Sequence, residues 1–282
     1  MISHNFPKLK GRLSIGLSYF LALLYAMTIF VPIYFVVISS FKGNLEIFGS
    51  PLALPTSLAQ FGNYLLAQER VNILQAMGIS ALITSATLAL NISTGFFAAY
   101  AIARMRLRIS TLIEAFFGAG FLIPVFAVIV PVFLLAAQTG LLYNPVFLVI
   151  FYAASHLPLT VVFLATHMRQ IPSDLEDAAM IDGANRYQII WHIFFPLSSS
   201  AVVTVVVMNF IACWNEYLFA LLLLEGDMRT VQMVIPMLRS ERLVDYGLVS
   251  AGIVISMIPI YLLFIFFQEK IVTGMMGGAV KS

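Results

Sequence analysis

The sequence predicts an all-α, polytopic membrane protein with six transmembrane helices, and three observations carry that prediction. Of its 282 residues, 61% are apolar and 10% are charged, with a mean hydropathy of +0.98; soluble domains have roughly 45–50% apolar and about 25% charged residues. Six apolar stretches, 13–39, 73–103, 112–137, 145–168, 202–224 and 248–267, each reach about the 20 residues that a helix needs to cross a bilayer. The Lys and Arg residues between them alternate in density, as they do on the two sides of a membrane. The whole of 1–282 reads as one transmembrane domain, with no internal repeat, low-complexity tract or soluble domain.

The first stretch follows Lys8, Lys10 and Arg12, as a signal peptide would. It is longer than the roughly 7–15 residues of an h-region, and it ends in Ile38-Ser39-Ser40-Phe41-Lys42 with no small-x-small cleavage site, so a retained span is expected. The second is longer than a bilayer requires, and its start near Asn72 and Gln75 projects from the membrane or tilts. Pro124, Pro131, Pro158 and Pro259 fall inside spans. Neighbouring helices can satisfy the carbonyls such prolines free, so they either shape a path or kink their helices. Cys213 is the single cysteine and lies in the fifth stretch, which excludes an intrachain disulfide and suggests an inert buried thiol.

Six spans place both termini on one side. That side carries Lys8, Lys10, Arg12, Arg104, Arg106, Arg108, Arg169, Arg186, Lys270 and Lys281, against Lys42, Arg70, Arg229, Arg239 and Arg242 opposite. The positive-inside rule makes the first side cytoplasmic. The polar stretch 172–197 falls on it, between the fourth and fifth spans. Its Leu175–Ile181 segment has the residue types of a short amphipathic helix, followed by a glycine break at Gly183 and a second piece ended by Pro196. This pattern suits a docking element on the membrane face. On the other side, 41–71 with Pro51, Pro55 and Asn63-Tyr64, and 225–246 with its acids and three arginines, are either partner surfaces or solvated connectors.

Signs of catalysis are sparse. The chain has no G-x-x-x-x-G-K-[S/T] phosphate loop, no H-E-x-x-H and no Cys/His ligand cluster. His4, His156, His167 and His192 are scattered and read as hydrogen-bonded or interfacial. The chain is expected neither to hydrolyse ATP nor to bind a metal, and nothing in it suggests nucleic-acid binding. The polar cluster Trp214-Asn215-Glu216-Tyr217 lies inside the fifth span, where an ionisable group is costly and points to function by default. Two readings of it stand open: Asn215, Glu216 and Tyr217 line a translocation path, or Glu216 pairs with a neighbouring helix or snorkels outward.

Asp177-Ala178-Ala179, then Gly183 after three residues, then Ile193 and Pro196, match in type and spacing the Glu-Ala-Ala loop of bacterial ABC importer permeases. Asp177 stands where that family has glutamate, keeping charge with one methylene less reach, and Phe195 stands where it has leucine. Ile171-Pro172, Asp182-Gly183-Ala184 and Trp214-Asn215-Glu216-Tyr217-Leu218-Phe219-Ala220 resemble the carbohydrate-uptake branch, which includes the maltose-transporter G-type inner-membrane subunit. Similarity extends to Ser39-Ser40-Phe41-Lys42, Asn63-Tyr64, Ala99-Tyr100-Ala101-Ile102-Ala103-Arg104 and Gly278-Ala279-Val280-Lys281.

The resemblance implies the type I importer permease fold, in a bacterial cytoplasmic membrane, as one half of an ATP-driven carrier of a sugar or related polyhydroxylated solute. It implies a cytoplasmic coupling helix seated on an ATPase subunit, with Glu176, Asp177, Ala178, Ala179, Asp182, Gly183, Ile193 and Pro196 as the coupling residues. Asp177 or Glu176 would pair with a basic residue of the ATPase, and Gly277–Lys281 would reach toward the ATPase pair. The implied partners are a second permease, two ABC ATPases that use ATP and magnesium, and an extracytoplasmic solute-binding protein. No cofactor is implied for this chain itself. Trehalose, maltose-type oligosaccharides, glycerol-phosphate and larger glycans all remain open as cargo. An ion-driven secondary transporter is the competing class, but such folds show repeated halves and ionisable coupling sites, and here Glu216 is the only acid well inside a span. A membrane enzyme would need a nucleophile, base or metal constellation that the sequence lacks.

Overall fold

The computed structural model describes residues 6–57, 61–105, 109–239 and 244–279; His4, Arg106, Arg108, Arg242 and Lys281 lie outside them. The chain is helical, as predicted, with no strand among the described residues. Among the described residues four helices are long and apolar enough to cross a membrane, and the number is six where each of two pairs bent at a break counts as one span. The residues group into two compact units, 1–72 with 235–255 and 73–234 with 256–282.

In the first unit, α1 (Phe6–Ser39) contains the first predicted span and runs through Pro32. The segment after it carries α2 (Asn44–Gly49) and α3 (Gly62–Val71) and is held by side chains reaching backbone carbonyls. Lys42 is fully buried; its ammonium donates to the Ser50 carbonyl at 2.9 Å and to the Ala53 carbonyl. Backbone oxygens here replace the water that a buried cation would otherwise lose. The Asn63 amide donates to the Ser40 and Lys42 carbonyls at 2.9 and 3.2 Å, and the Ser40 and Tyr64 hydroxyls meet at 2.7 Å. Two motifs distant in sequence thus form the two sides of one turn. Gly247, in the last helix, completes it, because a Cβ there would lie 2.0 Å from the Lys42 carbonyl oxygen.

The second unit opens with α4 (Ile73–Arg104), α5 (Ser110–Ala119), α6 (Ile129–Gln138) and α7 (Pro145–Met168). The start of α7 is fixed by the Asn144 side chain, which accepts the Val146 amide at 2.9 Å, and by Pro145 in the first turn. Next come α8 (Ser173–Ile181), α9 (Arg186–Ile189) and α10 (Phe195–Leu197) within the polar stretch. They are followed by α11 (Ser199–Trp214), α12 (Leu218–Leu223), α13 (Val231–Val234) and α14 (Tyr246–Ala279), the last crossing into both units.

Two of the predicted spans contain a break in the helix. The stretch 112–137 is not one helix: after α5 come two short 3-10 turns, Gly120–Leu122 and Val125–Val128, and the two arms are bent by 94°. Pro124 sits at the break in an extended conformation and cannot supply the amide that would continue the helix. The stretch 202–224 ends as a helix at Trp214 and resumes at Leu218. There the Glu216 carboxylate accepts the Phe219 and Ala220 amides at 2.9 and 3.0 Å, so α12 is capped as a new helix. Within 225–234, residues 225–229 are exposed, whereas Val231 is buried and its amide donates to the Ser80 hydroxyl of α4 at 2.8 Å.

Helices α4 and α7 approach closely where Gly95 faces Thr160; a Cβ on Gly95 would stand 2.4 Å from the Thr160 Cγ2. Such close approach replaces the hydrophobic drive that helices lack inside a bilayer. Two apolar clusters lie along this pair. One joins Phe96, Tyr100, Leu164 and Met168 with Ile189, Phe194 and Val205; the other joins Ile83, Leu148 and Tyr152 with Phe219, Leu223 and Met233. Between them along α4 is Asn91, whose Oδ1 accepts the Thr160 hydroxyl at 2.6 Å and the Asn209 amide at 2.9 Å. Its own amide donates to the Ala153 carbonyl at 2.8 Å, so α4, α7 and α11 meet at one buried polar cluster.

Candidate functional site

The stretch 172–197 folds as helix, turn and second helical piece. Asp174 and Glu176 lie in the first turn of α8, where the helix dipole favours negative charge. Its end is a Schellman motif: the Ala184 amide donates to the Ala179 carbonyl at 2.9 Å, and the Gly183 amide to the Met180 carbonyl at 3.1 Å. The motif needs a left-handed residue, and Gly183 supplies it with φ +85°. Asn185 and Gln188 then form a capping box, each side chain accepting the other's backbone amide, at 3.0 and 2.8 Å, and α9 begins. The helix widens into a π turn over Ile190–Phe194 before Pro196 enters α10.

These turns sort the predicted site residues into two faces. Asp177, Ala178, Asp182, Gly183 and Pro196 are exposed, as is Ile181 at 86%. Ala179 and Ile193 are half-buried, pack against the apolar cluster at the ends of α4 and α7, and border a groove of about 380 Å³ with Asp182 and Gly183. Glu176, expected to face outward with Asp177, points inward instead. It is 9% exposed and accepts the Tyr100 hydroxyl at 2.9 Å.

The sequence reading gives Tyr100 and Arg104 a place in a shared motif, and Arg104 a place among the cytoplasmic basic residues, but no site role. They lie one helical turn apart on α4, so both face the same way. Arg104 donates to the Met168 carbonyl at 2.6 Å and to the Ile171 carbonyl, and its guanidinium lies 4.8 Å from the centre of the Phe194 ring. Tyr100 meets that ring edge-on at 5.0 Å. A cation closing the span, with an aromatic residue four positions earlier, is the signal that could have drawn notice. Nearby, Arg169 pairs with Glu114 through two hydrogen bonds of 2.7 and 2.6 Å, which hold its guanidinium still more firmly protonated than usual.

The residues of the fifth span diverge. Asn215 is exposed; its amide donates to the Ile211 carbonyl at 2.9 Å and its oxygen accepts from Gln232 at 3.4 Å. Tyr217 is also exposed. Glu216 is turned toward α7, where it accepts the Tyr152 hydroxyl. The described histidines are hydrogen-bonded to carbonyls: His156 to Tyr152 at 2.8 Å, His192 to Gln188 at 2.9 Å and His167 to Leu197 at 3.4 Å. Cys213 is a buried free thiol.

The family model of the binding-protein-dependent transport system inner membrane component matches residues 91–277. The diacetylchitobiose uptake system permease protein of Streptomyces coelicolor is 31% identical over 269 residues, covering 94% of this chain and 89% of that protein. The probable starch degradation products transport system permease of Thermoanaerobacterium thermosulfurigenes is 30% identical, with 93% and 95% covered. The trehalose/maltose transport system permease of Thermococcus litoralis is 30% identical, with 92% and 94% covered. Among solved structures, a chain of a bacterial ABC transporter involved in import of the acidic polysaccharide alginate shares the fold, with a TM-score of 0.79 and 21% identity over 95% of this chain and 99% of that one.

Proposed function

The chain belongs to the family of binding-protein-dependent transport system inner membrane components, and on that premise we propose that it is the permease half of an ATP-driven importer of a sugar or related polyhydroxylated solute. The observation that carries the reading is the near full-length likeness to permeases named for uptake of diacetylchitobiose, starch degradation products and trehalose or maltose. The outward face of α8 supports it: Asp177 and Ala178 are exposed beside Ile181, a mixed acidic and apolar surface on a short rigid helix.

In this reading a second permease completes the pathway, and an extracytoplasmic binding protein delivers the solute. Two ABC ATPases use ATP and magnesium, and this chain supplies no catalytic group. Both termini lie in the cytoplasm of a bacterial cell, the placement favoured by the distribution of Lys and Arg. The α8 loop seats on an ATPase, with Asp177 offered to a basic residue there. Asn215 and Tyr217, exposed at the helix break, face the solute path, while Glu216 holds the break.

The test is to tag the chain at a terminus, extract it gently from its native membrane, identify what co-purifies and assay ATP hydrolysis. Recovery of a second permease and an ATPase is the expected result. A chain recovered alone or only with itself would favour an ion-driven carrier.

A further inference from the structure

The outward face of α8 can take up a movement, but something must pass it to the spans. Among the described residues, α8 makes one side-chain hydrogen bond to a spanning helix, from the Tyr100 hydroxyl of α4 to the buried Glu176 carboxylate at 2.9 Å. One turn further along α4, Arg104 holds the Ile171 carbonyl, two residues before α8 begins, together with the Met168 carbonyl that ends α7. Its guanidinium also lies over Phe194, in the π turn that leads toward α11.

A short helix attached at one point can pivot about it, whereas attachment at two points fixes its direction. Here both attachments come from one face of α4. Arg104 also keeps a buried Nε without a hydrogen-bond partner, a cost that a space-filling residue would avoid. We propose that Tyr100 and Arg104 are positioning residues that make α8 move as one body with the ends of α4 and α7, so that displacement of the loop becomes displacement of the spans. The inference rests on the importer reading above and assigns Glu176 to the internal side of that coupling, leaving Asp177 for the external side.

The test uses the whole complex, purified with its co-purifying partners and reconstituted in liposomes, and reads solute uptake per ATP hydrolysed. Tyr100→Phe removes one oxygen; the variant is expected to assemble and hydrolyse ATP, with uptake per ATP falling roughly tenfold, within the range of a coupling between two sites. Glu176→Ala should give a similar loss. Glu176→Gln keeps an acceptor oxygen and should restore most of the ratio. The Tyr100→Phe/Glu176→Ala double variant should be no worse than either single one, because each removes the same bond. A Tyr100→Phe ratio within about twofold of wild type, or losses that multiply in the double variant, would overturn the inference. If the wild-type complex itself shows no ATP-driven uptake, the importer reading fails and takes the inference with it; if wild type couples and Tyr100→Phe couples equally, only the inference fails.

Discussion

Tyr152 and Glu216 meet across the break between α11 and α12: the phenol donates to the same carboxylate that accepts the Phe219 and Ala220 amides at 2.9 and 3.0 Å. Three donors thus depend on one side chain. Glu216→Ala orphans all three and is expected to cost about 3 kcal/mol, whereas Tyr152→Phe removes one donor, leaves the amides satisfied and should cost about 1 kcal/mol. Thermal unfolding of the purified chain in detergent would rank them. Equal midpoints for the two variants would show that the carboxylate does not hold the break.

The crossing of α4 and α7 makes a second prediction. A Cβ on Gly95 would stand 2.4 Å from the Thr160 Cγ2 and 3.2 Å from its Cβ. Gly95→Ala is expected to lower stability by about 2 kcal/mol through overpacking. Thr160→Ser removes the nearer atom and keeps the hydroxyl that Asn91 needs. The double variant should therefore recover much of the loss, and the same unfolding assay reads it; no recovery would place the strain elsewhere.

The sequence made legible what composition controls and left hidden what depends on distant partners. The boundaries 145–168 coincide with α7, because an apolar run and the Asn144-Pro145 start are both local. The end of α11 was not legible, since the carboxylate that interrupts it is partnered by Tyr152 of another helix. Glu176 was misplaced for a related reason. An acid in a polar loop is expected in water, and only the folded chain brings the Tyr100 hydroxyl to it. Gly183 and its spacing to Ile193 and Pro196 were readable because a helix stop and its φ requirement are local chemistry.

Asn91 accepts from both Thr160 and Asn209 and donates to Ala153, whereas the Asn209 Oδ1 is buried without a partner. The two asparagines should thus respond unequally to truncation. Hydrogen bonds between membrane helices average about 0.6 kcal/mol and reach about 1.7. Asn91→Ala, which breaks three, should cost about 2 kcal/mol; Asn209→Ala also frees a buried oxygen from its unsatisfied state and should cost less than about 1 kcal/mol. Unfolding in mixed micelles with increasing SDS measures both, and the reverse order would contradict the hydrogen-bond assignment.

Gly183 separates an internal cost from an external one. Its φ of +85° is unfavourable for a side chain, but a Cβ there would meet nothing within 4 Å. Gly183→Ala should therefore add only left-handed strain of about 1 kcal/mol, and Gly183→Asn less, since asparagine visits that region more readily. Gly183→Trp extends well beyond that Cβ and borders the groove lined by Gln188, His192 and Ile193, so its abundance in the membrane reads any cost inside the chain and its co-purified ATPase reads what seats against the loop from outside. Gly183→Trp is expected to insert into the membrane at normal abundance, to co-purify less ATPase and to lose solute uptake, while Gly183→Asn retains most of it. Uptake and co-purified ATPase, measured side by side, decide the matter: a tryptophan variant that transports normally would show that nothing docks at Gly183.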